Sequence, residues 1–224
     1  MSTVTLPGLG AVVLCGGQSS RMGSPKAWLD FGGEPLLSRV VRRIAEAASP
    51  IVVVAAPGQE IPILPGGVLV VRDQVSGRGP LQGIAAGLDA LGGGVAAAFV
   101  SSTDVPFIHS ALIRRLHALR GDTFDIAVPR AKGHYHPLSA IYGAEARPEI
   151  EALLAADRLR PFYLFERMRT VFADEALLLE GEELRSADPE LLSLENVNTP
   201  GEYKAALARL WYRRTRRSNI SALR

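Results

Sequence analysis

The sequence predicts an α/β fold with three layers, a mostly parallel central sheet covered by helices on both faces. Three observations carry this. Short, continuous apolar runs recur along the chain and have the length and β-branched content of buried strands. Between them lie segments with helical spacing, so strand and helix alternate. The strands run out into loops rich in Gly, Ser and Asp, where such sheets hold ligands. The architecture is therefore Rossmann-like.

Ala11–Leu14 is the first strand and ends in glycines. Pro35–Ala48 places Leu36, Leu37, Val40, Val41 and Ile44 on one helical stripe. Ile51–Ala56 is a second buried strand, and Val68–Val71 a third, closed by Arg72 and Asp73. Leu81–Leu91 reads as an alanine-rich helix, Val95–Val100 as the fourth strand, Ala111–Leu119 as a helix and Asp125–Pro129 as a strand. Pro137–Tyr142 is a further strand, antiparallel and at an edge. Arg147–Ala156 and Pro161–Arg169 are helical, and Thr170–Ala173 pairs at the sheet edge. Pro200–Arg214 is the last helix, with Pro200 in its first turn.

The length of 224 residues and an apolar content of 47% suit one domain with a full core. We place that domain at residues 1–212 and a basic tail at 213–224. From Tyr203 onward there are seven Lys or Arg and no acidic residue; without them the net charge of +2 becomes about −5. A nucleic-acid-binding domain carries its basic stripe across the fold, so nucleic acid is not an expected partner. The tail reads as a solvated helix end whose cations complement the helix dipole. Neither a signal peptide nor a membrane span is predicted. Cys15 is the lone cysteine, which precludes an internal disulfide framework and fits a cytoplasmic location.

The stretch from Ala11 to Lys26, AVVLCGGQSSRMGSPK, carries the strongest chemical signal. Gly16, Gly17 and Gly23 let the backbone approach a ligand closely. Exposed N–H groups in such a turn form a nest for phosphate oxygens, Ser19 and Ser20 add hydroxyl donors, and Arg21 and Lys26 add positive charge. Neither GxxxxGK[ST] nor GxGxxG is present, which excludes the two commonest phosphate loops. Two adjacent glycines alone fit an ordinary strand-to-helix turn. Arg21, Gly23 and Lys26 behind a buried strand turn the reading to a phosphate-binding loop.

LCGGQSSRMGSPKAWLDFGGEPLL resembles the signature of the molybdenum cofactor guanylyltransferases and their nearest nucleotidyltransferase relatives. Only Cys15 departs from the pattern, where alanine is usual, and its small side chain reads as structural. The resemblance continues in order through Val71-Arg72-Asp73 with Gly79-Pro-Leu-Gln-Gly83, Ser101-Ser-Thr-Asp104-Val-Pro106, and Asn196-Val-Asn198-Thr-Pro200. It covers nearly the whole chain from Ala11 to Leu210.

What the resemblance implies is specific. Leu14, Cys15, Gly16, Gly17, Ser19, Arg21 and Lys26 would hold the nucleotide, with Gly79, Pro80 and Leu81 against its base and Asp73 helping to recognise it. Asp104 lies just past a strand's carboxyl end, where one carboxylate can hold Mg²⁺ with phosphate oxygens and waters. Asn198 is the second metal ligand implied, although Asn-Thr-Pro is equally a helix entry capped by Thr199. Lys26, Arg21 and Asp104 are the catalytic group. His134 and His136, two apart on a strand, line the acceptor cleft or simply pack, and a zinc site is disfavoured.

The reaction implied joins GMP from GTP to molybdopterin carrying molybdenum and releases pyrophosphate. Further partners would be other proteins of cofactor biosynthesis or molybdoenzyme chaperones. A rival uses the same loop with CTP to make the cytosine dinucleotide, and the run from Lys26 to Gly33, KAWLDFGG, favours the guanylyl branch. A second rival is a nucleotide-binding regulatory module without turnover; intact Lys26 and Asp104 argue against it. A third is a Rossmann-like adaptor that binds no GTP.

Overall fold

A computed structural model of the chain describes residues 5–16, 22–73, 75 and 77–221, with no side chain described at 214 and 216–221. Eight strands form one sheet: β1 (Leu9–Leu14), β2 (Ile51–Ala55), β3 (Val68–Arg72), β4 (Ala97–Ser102), β5 (Ile126–Ala131), β6 (His134–Tyr135), β7 (Ser139–Gly143) and β8 (Thr170–Ala173). Their order is β3-β2-β1-β4-β7-β5-β6, with β8 paired to β5. β3, β2, β1 and β4 are mutually parallel, and β8 is parallel to β5. β7 runs antiparallel to both β4 and β5.

Strand alternation feeds two apolar layers. Ala11, Val13, Val53 and Phe99 pack with helices α1 (Leu36–Ile44) and α3 (Ser110–Arg120). Val12, Val52, Val54 and Val100 pack on the other face with α2 (Gly79–Leu91) and α4 (Ala146–Ala155). The five apolar residues of the α1 stripe are all buried, as their spacing requires. The three-layer α/β fold expected from the sequence is the one observed.

α2 begins two residues before Leu81, because Pro80 fits the first helical turn. It lies very close to β1. A Cβ at Gly87 would fall 2.2 Å from Val12 Cγ1, and one at Gly83 would fall 3.0 Å from Leu14 Cδ2. Those two glycines, one turn apart, set the distance between helix and sheet. From β1 the chain moves outward to β2 through α1, then returns through α2 on the opposite face to β4. The crevice between the carboxyl ends of β1 and β4 is therefore a topological switch point.

Several expectations need correction. β3 is an edge strand with Leu69 and Val70 exposed, so its apolar run is not a buried one. β7 is antiparallel but central, between β4 and β5; its five residues are all buried, which an alternating edge reading could not foresee. The segment Pro161–Arg169 is helical only at α5 (Phe162–Phe165), before Arg169 turns into β8. Two short helices, α6 (Glu175–Leu179) and α7 (Glu182–Ala187), were not anticipated and bury only Leu178 and Leu184. α8 runs unbroken from Pro200 to Ser221. No described helix is long and apolar enough to cross a membrane.

Candidate active site

Three segments far apart in sequence meet at the switch point. Lys26 opens a 3₁₀ turn, Lys26–Trp28, that follows Pro25. Asp104 lies two residues beyond the end of β4. Asn198 stands just before α8, where Thr199 Oγ1 accepts the Glu202 N–H at 3.2 Å. Glu202 Oε2 accepts in return from the N–H groups of Thr199 (3.0 Å) and Asn198 (2.7 Å). This reciprocal capping box fixes the helix entry and the direction of Asn198.

Lys26 Nζ donates to Asp104 Oδ2 at 2.8 Å and to Asn198 Oδ1 at 2.7 Å. The Lys26 and Asp104 side chains are only 19% and 14% exposed, so the pair is screened less than a surface ion pair. Asp104 Oδ1 accepts from Ser102 Oγ at 2.5 Å and from Asn196 Nδ2 at 3.1 Å. The Val197 N–H donates to the Asp104 carbonyl at 2.8 Å, which ties the segment before α8 to the β4 loop. Asp104 is thus aimed by contacts on both sides. Ser102 was missed from sequence; a run of hydroxyls ending an apolar strand was the available signal.

At the end of β1, Thr103 donates to the Leu14 carbonyl through both its N–H (3.1 Å) and Oγ1 (3.2 Å). Gln59, also missed, braces Cys15: its Nε2 donates to the Cys15 carbonyl at 3.1 Å, while its Oε1 accepts the Ala56 N–H at 3.0 Å. Burial pushes the Cys15 thiol up, against smaller lowering effects from Thr103, Gln59 and Arg72. A neutral, buried thiol is a poor nucleophile. Its environment is that of a packing residue.

Leu14, Cys15 and Gly16 therefore sit on the same rim as Lys26 and Asp104. Gly17, Ser19 and Arg21 lie outside the described residues. Asp73 stands past β3; its N–H donates to the Ala55 carbonyl (2.9 Å), and its Oδ1 accepts from Val75 (3.0 Å). Gly79 takes a φ of +69°, and a Cβ there would crowd the Leu159 carbonyl at 3.3 Å. Pro80 is half-buried, whereas the Leu81 side chain is fully buried in the core and offers a ligand only its backbone. Asp73 and Gly79–Leu81, the first after β3 and the others opening α2, lie on the β3 side of the Lys26 cluster.

Beyond Asn196 a cleft of about 580 Å³ opens, lined among others by Lys132, His134, His136, Glu195 and Arg209. The two histidines share one wall of it. His136 is half-buried, and burial lowers its pKa. Among the described residues, no group of three or more His, Cys, Asp or Glu could hold a metal ion. Mg²⁺ makes a smaller demand, one or two protein oxygens with phosphates and waters. The Asp104 and Asn198 oxygens converge on one cation, the Lys26 ammonium, so the donor set fits such an ion.

Residues 11–171 match the family model described as MobA-like NTP transferase domain. A "Probable molybdenum cofactor guanylyltransferase" of Pelotomaculum thermopropionicum is 34% identical over 191 residues, covering 85% of this chain and 88% of that protein. One of the same description from Mycobacterium tuberculosis is 36% identical over 176 residues, covering 76% and 86%. The crystal structure of molybdopterin-guanine dinucleotide biosynthesis protein A from Archaeoglobus fulgidus superposes with a TM-score of 0.71 at 24% identity, covering 91% of this chain and 99% of that one. That match bears on the fold. With a family model spanning most of the chain, and relatives 34% and 36% identical that match most of it, the chain belongs to the MobA-like NTP transferase family and is a nucleotidyltransferase.

Proposed function

We propose that this chain transfers GMP from GTP to molybdopterin carrying molybdenum and releases pyrophosphate. The observation that carries the reading is the Lys26 ammonium held between Asp104 and Asn198 at the switch point. Lys26 ends the glycine-rich segment after β1 whose residues would hold the triphosphate. The relatives described as molybdenum cofactor guanylyltransferases support both donor and acceptor.

An oxygen of the acceptor's terminal phosphate forms a bond to the α-phosphorus, and the bond from that phosphorus to the bridging oxygen breaks. The electron pair leaves with pyrophosphate. No protein nucleophile is needed, in keeping with the buried Cys15. Catalysis rests on alignment and charge neutralisation. Lys26 moves from its carboxylate partner to the phosphates, and Arg21 adds a second cation. Asp104, held by Ser102 and Asn196, and Asn198 would hold Mg²⁺. Bound there, the ion would neutralise phosphate charge. Asp73 and the backbone of Gly79–Leu81 would read the base. We place the reaction in the cytoplasm, consistent with the lone cysteine.

A thermal-shift panel of GTP, CTP, ATP and UTP with Mg²⁺ tests the donor, because a ligand bound only by the folded state raises Tm with its affinity. GTP should give the largest shift. A larger shift with CTP would move the assignment to the cytidylyl branch. Binding of GTP without pyrophosphate release on addition of molybdopterin would make the chain a regulatory module.

A further inference from the structure

The cleft beyond Asn196 is built around a charge cluster that the transfer chemistry leaves unused. Glu195 Oε1 accepts from Lys132 Nζ at 2.7 Å, and Glu195 Oε2 accepts from Arg209 at 2.6 Å. Lys132 belongs to the hairpin turn between β5 and β6, and Arg209 to the third turn of α8. One carboxylate therefore bridges two cations, from the hairpin turn and from α8, that both line the cavity. Its neighbour Asn196 lines the same cavity and donates to Asp104, so cluster and reactive centre share a wall.

Two details show that Lys132 is presented deliberately. The turn is a two-residue one, with Ala131 paired to His134, and both central residues have positive φ: +52° at Lys132 and +77° at Gly133. Glycine is favoured in that backbone region, and a lysine there is uncommon. Its N–H is held by Glu175 Oε1 at 2.7 Å, which fixes the residue from below. The second detail concerns the two acids of the cleft. Glu202 is committed to the backbone of Asn198 and Thr199, whereas Glu195 gives one carboxylate oxygen to each of the two cations.

We propose that Lys132 and Arg209 form an oxyanion site for the acceptor, and that Glu195 occupies it as an internal stand-in until the acceptor displaces it. A carboxylate shared between two cations presents negative charge and two acceptor oxygens much as a phosphate does, with less charge than the phosphate carries. The stand-in keeps the cations poised and makes weakly bound anions compete for the site. It therefore discriminates against lone anions and in favour of an acceptor that has further contacts to offer. This inference rests on the proposed transfer to an anionic acceptor, and deepens it by naming the residues that receive that acceptor.

The sign of one substitution tests the idea. Glu195→Gln removes the competing charge, so inorganic phosphate, titrated into the full-length protein by NMR, should bind about fivefold to tenfold tighter. Lys132→Ala and Arg209→Ala should each weaken it about tenfold. If Glu195 served only to staple hairpin to helix, Glu195→Gln would instead lower Tm and weaken phosphate binding, which would overturn the proposal. In transfer assays Glu195→Gln should lower the KM for molybdopterin while leaving the KM for GTP in place. Persistence of that effect with metal-free molybdopterin identifies the phosphate as the bound group, and its disappearance identifies the molybdenum end. A wild-type protein that makes no dinucleotide refutes the proposed transfer alone, since the phosphate titration still tests the site. A working transfer whose acceptor KM ignores Glu195 refutes this inference alone.

Discussion

On the β1 side of Asp104, the site is bounded by closely approaching backbones; on the β7 side, the elements around it are joined by ion pairs at the rim of a buried core. The first side consists of β1 and β2, parallel strands buried on both faces, and a helix whose Gly83 and Gly87 rest on Leu14 and Val12. The second consists of an antiparallel central strand, a hairpin and short helices, joined by Lys132–Glu195–Arg209 and Arg169–Asp125. Steric contact is indifferent to salt and pH and tolerates little change in volume. Ion pairs are adjustable, weaken with salt and can be exchanged for a ligand. A donor with a fixed triphosphate suits the first kind of construction, and an acceptor that must enter and leave suits the second.

The largest effects are expected where the two sides meet. Lys26→Ala and Asp104→Ala should each lower turnover about 100- to 1000-fold, the scale seen when one preorganised charge partner is removed. Pyrophosphate release under saturating GTP measures this. Near-normal turnover in either variant would remove the cluster from the reaction.

Next comes the packing of the β1 side. Alanine favours helix over glycine by about 1 kcal/mol, yet a methyl at Gly87 would overlap Val12. Overpacking of this kind costs about 1–3 kcal/mol, so Gly87→Ala should be destabilised overall in urea unfolding. Gly83→Ala should be affected less, because it meets the flexible end of Leu14 at 3.0 Å. Equal stability of Gly87→Ala and wild type would show that α2 can lift from β1 without cost.

The same contrast explains what could be read from the sequence. Buried parallel strands write themselves as continuous apolar runs, so β1, β2 and β4 were legible within a few residues. Lys26, Asp104 and Asn198 were legible because each stands beside an apolar strand or a helix entry in a recognisable order. β7 was misplaced to an edge because strand direction and neighbours depend on pairing, which local pattern does not encode. Ser102 and Gln59 act by bracing other groups, and a single Ser or Gln carries no pattern. The cluster of Lys132, Glu195 and Arg209 was invisible for a stronger reason: its members lie 63 and 14 residues apart and meet only through the tertiary fold.

A smaller effect is expected at the entry to α8. Thr199→Ala removes one half of the capping box and should cost about 1 kcal/mol. It should also loosen Asn198, whose own N–H is held by Glu202. Thr199→Ser should restore both stability and turnover. A Thr199→Ala protein that loses stability but keeps full activity would separate the cap from the positioning of Asn198.

The subtlest prediction concerns acid. Asp125 accepts from the Arg169 guanidinium through both carboxylate oxygens, at 3.2 and 2.6 Å, and from the Arg169 N–H at 3.0 Å. These contacts hold its carboxyl below the usual carboxylate range and lock the start of β8 beside β5. A carboxyl with a depressed folded pKa contributes stability that is present above its unfolded value of about 3.9 and is lost as pH falls through the folded value. Asp125→Asn should therefore lower Tm at pH 7, with the gap to wild type closing as the pH is taken below about 4. Exposure of the arginine keeps the effect modest. Gly87→Ala, whose cost is steric, should show no such convergence, so Tm against pH for the two variants sets charge against packing in one experiment. A gap for Asp125→Asn that stays constant down to the acid limit would mean that β8 is held by its ladder and apolar contacts, and that the charged side is less dependent on charge than its contacts suggest.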